Sequence, residues 1–317
     1  MNSFAMLILG VFGILLSVLM IYLRVAPKLG LFDTPNNRSS HKEETIRGAG
    51  IIYPIALLLY GFLYDFLPLP LIVGGIFLGV VSFIDDWKNL TARLRLILHA
   101  GVITWCILDL NWGNQLFWLI PLIAFVYLWL MNAYNFMDGI NGMTALNTLS
   151  VLLALLLLNI DKPFTNSFLL FVLILATVIF SFFNLRKKAI CFLGDVGSIP
   201  LGFVLIGLTL AAIYSTGDTN PLVFFAVYII DSGWTIFQRL IAKENILKPH
   251  RKHLYQVLVN EKGLGHLTVS VAYFAIQMGI NGLYFAIDWP KHVFLIATFL
   301  CLSAGYVLIK QRLLKSV

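Results

Sequence analysis

Runs of close to 20 apolar residues recur from one end of the chain to the other, and no other feature limits the possible folds so severely. A helix rising about 1.5 Å per residue needs a run of that length to cross a hydrocarbon layer about 30 Å thick. Helices buried in a soluble protein of this size keep a polar stripe toward solvent, and these runs have none. Composition agrees: of 317 residues, 60% are hydrophobic and only 12% are charged. The expected fold is all-α, a polytopic integral membrane protein with about eleven transmembrane helices, near 4–23, 49–66, 68–84, 95–110, 116–131, 142–158, 166–183, 199–214, 221–241, 267–287 and 292–309. Leu67-Pro68-Leu69-Pro70 separates the second from the third. The chain reads as one multi-span domain over 1–317, with no soluble domain, low-complexity tract or internal repeat. Cys106, Cys191 and Cys301 are scattered in apolar context and read as packing residues.

Charge sets the orientation. No Lys or Arg precedes Arg24, so Phe4 to Leu23 reads as an uncleaved first span with the N-terminus outside. The cytoplasmic segments are then 24–48, 85–95, 132–141, 184–198, 239–266 and the C-terminal 310–317. Of the 22 Lys and Arg, all but Lys162 and Lys291 fall in those segments, the bias expected of cytoplasmic loops. The net charge of +7 therefore belongs to one face, where it suits anionic lipid headgroups or an anionic substrate. No basic domain is present, which excludes a nucleic-acid partner.

The same face collects the unusual polar residues. Asn132-Ala-Tyr-Asn-Phe-Met-Asp-Gly-Ile-Asn-Gly142 holds three Asn, an Asp and two Gly between long apolar runs, with no Lys or Arg. It reads as the floor of a polar pocket. Asp85-Asp86 closes the third span, and adjacent carboxylates at a membrane surface call for a cation. Arg93 and Arg95 follow. In Phe192-Leu-Gly-Asp-Val-Gly-Ser198, Gly194 and Gly197 let the backbone approach a ligand, Ser198 stands where it could cap the eighth span, and Asp195 could be a hard-oxygen ligand for Mg²⁺. The segment Asp33 to His41, followed by Arg47-Gly-Ala-Gly50, places Arg and His beside a flexible backbone suited to a diphosphate. Lys248 to Gln256 sets two His, a Tyr and a Gln among cations. Asp231 lies inside a span, where an ionisable group is a functional candidate by default. Asp65, Asp109, Asp161, Asp218 and Asp288 fall in or near outer loops and read as solvated polarity.

Taken in order, these segments resemble the polyprenyl-phosphate N-acetylhexosamine-1-phosphate transferases, a superfamily that includes the phospho-MurNAc-pentapeptide translocase. The matching positions are Asp33-x-Pro35-x-x-Arg38-x-x-His41; Asp85-Asp86 with Leu90, Arg93 and Arg95; Asn132, Asn135, Asp138-Gly139, Asn141 and Gly142; Phe192 to Ser198; and the 250–256 loop preceded by Asp231. The resemblance implies a bacterial inner-membrane enzyme with a cytoplasmic site. It would move an N-acetylhexosamine 1-phosphate from a UDP-N-acetyl sugar to undecaprenyl phosphate and release UMP, the initiating step of a cell-surface polysaccharide. Its metal would be Mg²⁺, with Mn²⁺ as the alternative, and a homodimer is left open. By the same resemblance Asp195 is the metal ligand, with Asp86 beside it, and Asp85 or Asp86 deprotonates or orients the lipid phosphate. Asn132, Asn135 and Asp138 are nucleotide-site residues, Phe192 stacks on uracil, and Arg38, His41, His250, Arg251 and His253 contact diphosphate or sugar.

Two departures stand out. Asn141 occupies a position where many members carry a second Asp. The loop His250-Arg-Lys-His-Leu-Tyr-Gln256 lacks the consecutive histidines of the peptidoglycan translocase, which points to the polysaccharide-initiating branch and keeps the translocase as the alternative. A transporter would want its carboxylates at mid-membrane, and all but Asp231 lie near an end of a span. A non-catalytic lipid-binding relative would be expected to lose one of Asp85, Asp86 or Asp195, and all three are present.

Overall fold

In the computed structural model all residues are described except 1–2, 36–39, 42, 89, 111–116, 246–249 and 316–317. Of the described residues 78% are helical. The helices are α1 (Ser3–Val25), α2 (Ile52–Leu63), α3 (Leu69–Lys88), α4 (Ala92–Asp109), α5 (Ile120–Phe136), α6 (Met143–Asp161), α7 (Ser167–Asn184), α8 (Asp195–Thr216), α9 (Ala226–Ile241), α10 (Leu254–Asn260), α11 (His266–Ala286) and α12 (Val293–Lys315). Each apolar run read from the sequence overlaps a helix, but not all of these helices are long. Among the described residues eight helical segments are long and apolar enough to cross a membrane. Ala49–Leu63 and Ile120–Phe136 are apolar but shorter, and α4, which carries Arg93, Arg95 and His99, is not among the eight.

α8 is the centre of the bundle. In its apolar window 83% is buried, against 17% for the window starting at Phe4. α3 lies against it most extensively, and small residues make that approach possible. A Cβ on Gly75 would sit 3.0 Å from Val204 Cγ2, and one on Gly207 would sit 2.5 Å from Leu71 Cδ1. The rim is different: Phe62, Trp118, Phe125, Phe182, Ile241 and Leu300 are each more than half exposed. An apolar periphery on this scale is unfavourable in water and suits lipid.

Several elements differ from the sequence reading, and all sit at the end of the bundle where α1, α3, α5, α7 and α9 finish. α3 carries Asp85 and Asp86 in its last turn, and α5 runs on through Asn132 and Asn135, so the polar floor is helical in its first half. α8 starts at Asp195. Ser198 is therefore not its cap but a first-turn residue, and Gly194, with a φ of 72°, precedes the helix. A two-stranded antiparallel ribbon, β1 (Phe32–Asp33) and β2 (Thr45–Ile46), rises from the first loop. The short α10 was also not expected.

Candidate active site

The first loop and the fourth are zipped together by backbone hydrogen bonds. Ile46 pairs in parallel with Cys191; Phe192 N donates to Ile46 O at 2.8 Å, Ala49 N to Phe192 O at 3.0 Å, and Gly50 N to Leu193 O at 2.9 Å. Gly50 and Gly197 face each other so closely that a Cβ on Gly197 would lie 2.5 Å from Gly50 Cα. The zipper sets Arg47 over the start of α8. Arg47 Nη2 lies 2.7 Å from Asp86 Oδ1 and 3.3 Å from Asp195 Oδ1. Residues far apart in the chain thus converge on one guanidinium.

Beside this cluster is a cavity of ≈ 250 Å³, lined by residues from several segments at that end: Asp33, His41 and Arg47; Asn135 and Asp138; Phe192 and Asp195; Gln256; and His266. Asn135 Oδ1 accepts from Ser198 Oγ at 2.9 Å, which joins α5 to the first turn of α8. Burial pushes the Asp138 carboxyl up to about 7; the Thr144 hydroxyl opposes the shift and the charge on Asp195 adds to it. The rings of His41 and Phe192 meet edge to face at 4.8 Å. His41 Nε2 is buried without a hydrogen-bond partner, its nearest carboxylate oxygen being Asp33 Oδ2 at 3.8 Å. A buried ring nitrogen left open toward a polar cavity is a site for a ligand oxygen.

Of the residues singled out from the sequence, the structure gathers His41, Asn135, Asp138, Phe192 and Asp195 on the cavity, with Asp86 attached through Arg47. Asp85 turns away. Its Oδ2 accepts from Arg95 Nη1 at 2.9 Å and its Oδ1 from Leu90 N at 2.7 Å, so it fastens the α3–α4 turn. Asn132 donates to Leu128 O, one turn back on its own helix, at 2.7 Å. Arg38 lies outside the described residues.

His250, Arg251 and His253 do not line the cavity. His253 is buried with Nδ1 3.6 Å from Asp231 Oδ1, His250 packs on it at 4.9 Å between ring centroids, and Arg251 is exposed. Burial, followed by His253, lowers His250 to about 4. Asp231 is the anchor of this loop: it accepts from Leu254 N at 2.8 Å, Tyr255 N at 3.3 Å and Tyr273 Oη at 2.8 Å, capping α10 from another helix. Tyr255 Oη then donates to Phe136 O at 2.9 Å, over Gly139, where any Cβ would run into it. The loop reaches the cavity through Gln256.

Sequence reasoning placed Asp33, Arg47 and Gln256 in candidate segments without giving them individual roles, and did not single out Asn184 or His266. Arg47 had a signal, the Arg-Gly-Ala-Gly run beside the first motif. Asn184, the last residue of α7, binds Cys191 O at 2.9 Å and Gly142 N at 2.7 Å, and nothing local marks it. His266 opens α11 past the last motif, with Nε2 3.1 Å from Ser40 O. Asn141 has a physical account: its Nδ2 donates to Arg186 O at 2.8 Å and Lys187 O at 3.2 Å, which a carboxylate cannot do.

This arrangement defines a class: a multi-span helical membrane protein whose loops at one end build a polar cavity edged by paired carboxylates and a guanidinium. Residues 68–213 match glycosyl transferase family 4. A probable undecaprenyl-phosphate N-acetylglucosaminyl 1-phosphate transferase of Bacillus subtilis is 29% identical over 278 residues, covering 79% of this chain and 75% of that protein. The undecaprenyl-phosphate alpha-N-acetylglucosaminyl 1-phosphate transferase of Salmonella typhi is 26% identical over 310 residues, 87% of this chain and 84% of that protein. A phospho-N-acetylmuramoyl-pentapeptide-transferase of a Synechococcus species is 32% identical over 189 residues, 46% of this chain and 53% of that protein. The chain is thus similar to undecaprenyl-phosphate N-acetylglucosaminyl 1-phosphate transferases over most of its length, the kind of protein its motifs led us to expect.

Proposed function

We propose that the protein transfers an N-acetylhexosamine 1-phosphate from a UDP-sugar to undecaprenyl phosphate, the initiating step of a cell-surface polysaccharide. A phosphate oxygen of the lipid attacks the phosphorus that bears the sugar, the bond from that phosphorus to the UMP oxygen breaks, and UMP leaves. The observation that carries this reading is the convergence of Asp86, Asp195 and Arg47 at the edge of a cavity with amide and aromatic walls. Phosphoryl transfer asks a protein for positioning and charge neutralisation more than for covalent chemistry.

The two carboxylates suit Mg²⁺, or Mn²⁺, as donors. Mg²⁺ commonly takes one or two protein carboxylates and shares substrate phosphate oxygens, and these two acids are close enough to share one nitrogen. When bound, the ion supplies charge neutralisation to the diphosphate. Asp85, committed to Arg95 and Leu90 N, holds the turn that presents Asp86. Asn135 and Asp138 offer hydrogen bonds to a uridine, Phe192 offers a face for uracil, and His41 Nε2 with Arg38 takes phosphate oxygens. His250, Arg251 and His253 belong to a loop that frames the sugar side through Gln256. A neutral Asp138 can donate as well as accept at its ribose or uracil partner.

In this reading eleven of the twelve helices, all but the short α10, span a bacterial cytoplasmic membrane as one domain, with the N-terminus outside and the C-terminus and the site in the cytoplasm. Purified protein given Mg²⁺, undecaprenyl phosphate and a panel of UDP-N-acetyl sugars is expected to release UMP with one of them. No UMP from any member of the panel would remove the proposal.

A further inference from the structure

Arg47 is held in an unusual way. Its backbone is pinned, with Arg47 N donating to Leu31 O at 3.1 Å and Arg47 O accepting from Tyr22 Oη at 2.6 Å. Its side chain is 39% exposed and meets two carboxylates through one nitrogen, at 2.7 and 3.3 Å, while those carboxylates are only 14% and 24% exposed. This is not the two-pronged geometry in which a guanidinium grips a carboxylate best. The nearby Arg95 makes a contrast. It pairs with Asp85, whose other oxygen is filled by a backbone N–H, so that carboxylate needs nothing further. Asp86 and Asp195 share their cation at the cavity edge, and once it left they would face each other as like charges.

We infer that Arg47 is an exchangeable counter-ion: it holds Asp86 and Asp195 together until a divalent cation takes its place, and then turns its guanidinium to the substrate diphosphate. The inference rests on the metal reading of the two carboxylates given above. A pinned main chain with a partly exposed head suits the role, because a guanidinium turning toward the cavity would leave the zipper of residues 46–50 docked. Turning to a diphosphate, it can use its donors in pairs, which the carboxylates do not let it do.

Exchange has a signature that a structural ion pair lacks. Removing a purely structural arginine weakens metal and diphosphate binding together. Removing a competing cation that later becomes a phosphate ligand strengthens the first and weakens the second. The test uses the full chain purified in detergent, with two probes. Mg²⁺ is titrated alone and followed by thermal shift, and UDP is titrated at saturating Mg²⁺. For Arg47→Gln the Mg²⁺ midpoint should fall about tenfold, the equivalent of about 1.4 kcal/mol, and the Kd for UDP should rise by about the same factor. Arg47→Lys keeps the charge and guards against a Gln variant that does not fold; it should move both quantities in the same directions by about threefold. Midpoints unchanged or raised in both variants overturn the exchange, as does joint weakening of Mg²⁺ and UDP. A wild-type protein with no response to Mg²⁺ overturns the metal reading and the exchange with it. A wild-type response that both variants copy overturns the exchange alone.

Discussion

The zipper between the first and fourth loops can be tested without touching a charged residue. Gly50 has its N–H on Leu193 O, and a Cβ built on it meets Leu193 O at 2.6 Å and Gly197 N at 2.8 Å, with Gly197 Cα nearer still. Those are backbone atoms and cannot swing aside as a side-chain tip would. Bringing the nearest contact, 2.3 Å to Gly197 Cα, out to 3.4 Å, where ordinary van der Waals contact begins, requires the loops to part by about 1.1 Å. Arg47 and Asp195 sit on opposite sides of that seam, three and two residues from Gly50 and Gly197. Misplacement on the scale of 1 Å costs about 100-fold in a positioned reaction, while overpacking of this kind costs about 1–3 kcal/mol of stability. Gly50→Ala is therefore expected to leave a folded protein with a modestly lower Tm and UMP release reduced about 100-fold. Gly101→Ala and Gly282→Ala, whose Cβ atoms would meet nothing within 4 Å, are the controls and should keep wild-type rates. Gly50→Ala activity within twofold of wild type would mean that the seam does not set the geometry of the site.

Three further outcomes follow from the same geometry. Asp195→Asn should abolish UMP release while the protein still purifies as a folded monodisperse species; near-normal turnover would remove Asp195 from the role of metal ligand. Asp138, raised from 3.8 to about 7, binds its proton more tightly folded than unfolded, so its stabilising contribution is complete below the unfolded value and is lost as pH rises through about 7. The Tm of wild type minus that of Asp138→Asn should accordingly fall between pH 4 and pH 7 and then level off, and a flat or rising difference would refute the assignment. Asn141→Asp, which sets a carboxylate against the Arg186 and Lys187 carbonyls, should lower stability by about 1–3 kcal/mol, read by thermal unfolding; an unchanged Tm would mean that those bonds do not hold the loop.

The helices were legible because hydrocarbon imposes length and apolarity on each segment separately, so the apolar runs could be read one at a time. The site was legible as a set of loops and illegible in its pairings. Asn132 and Asn135 look equivalent in the sequence, but three residues on α5 rotate one back over Leu128 and the other to Ser198. Asp85 and Asp86 are adjacent and identical in kind, yet their partners come from different elements, Arg95 from α4 and Arg47 from the first loop. Which arginine of the first loop reaches Asp195 depends on the Ile46–Cys191 bridge, a pairing across 145 residues that no local pattern encodes. Asp231 was marked by its place within a span, but its work on α10 appears only when Tyr255 is seen closing over Gly139.

The order of the parts along the chain has a consequence for biosynthesis. Arg47 and Asp86 emerge long before Asp195, and residues 191–193 supply the edge on which the first loop docks. A nascent chain that has inserted α1 to α7 holds the first two members of the triad without the edge that aligns them. No fragment ending before α8 can contain the site, so activity should switch on during synthesis only after the helix at the middle of the bundle has been laid in place.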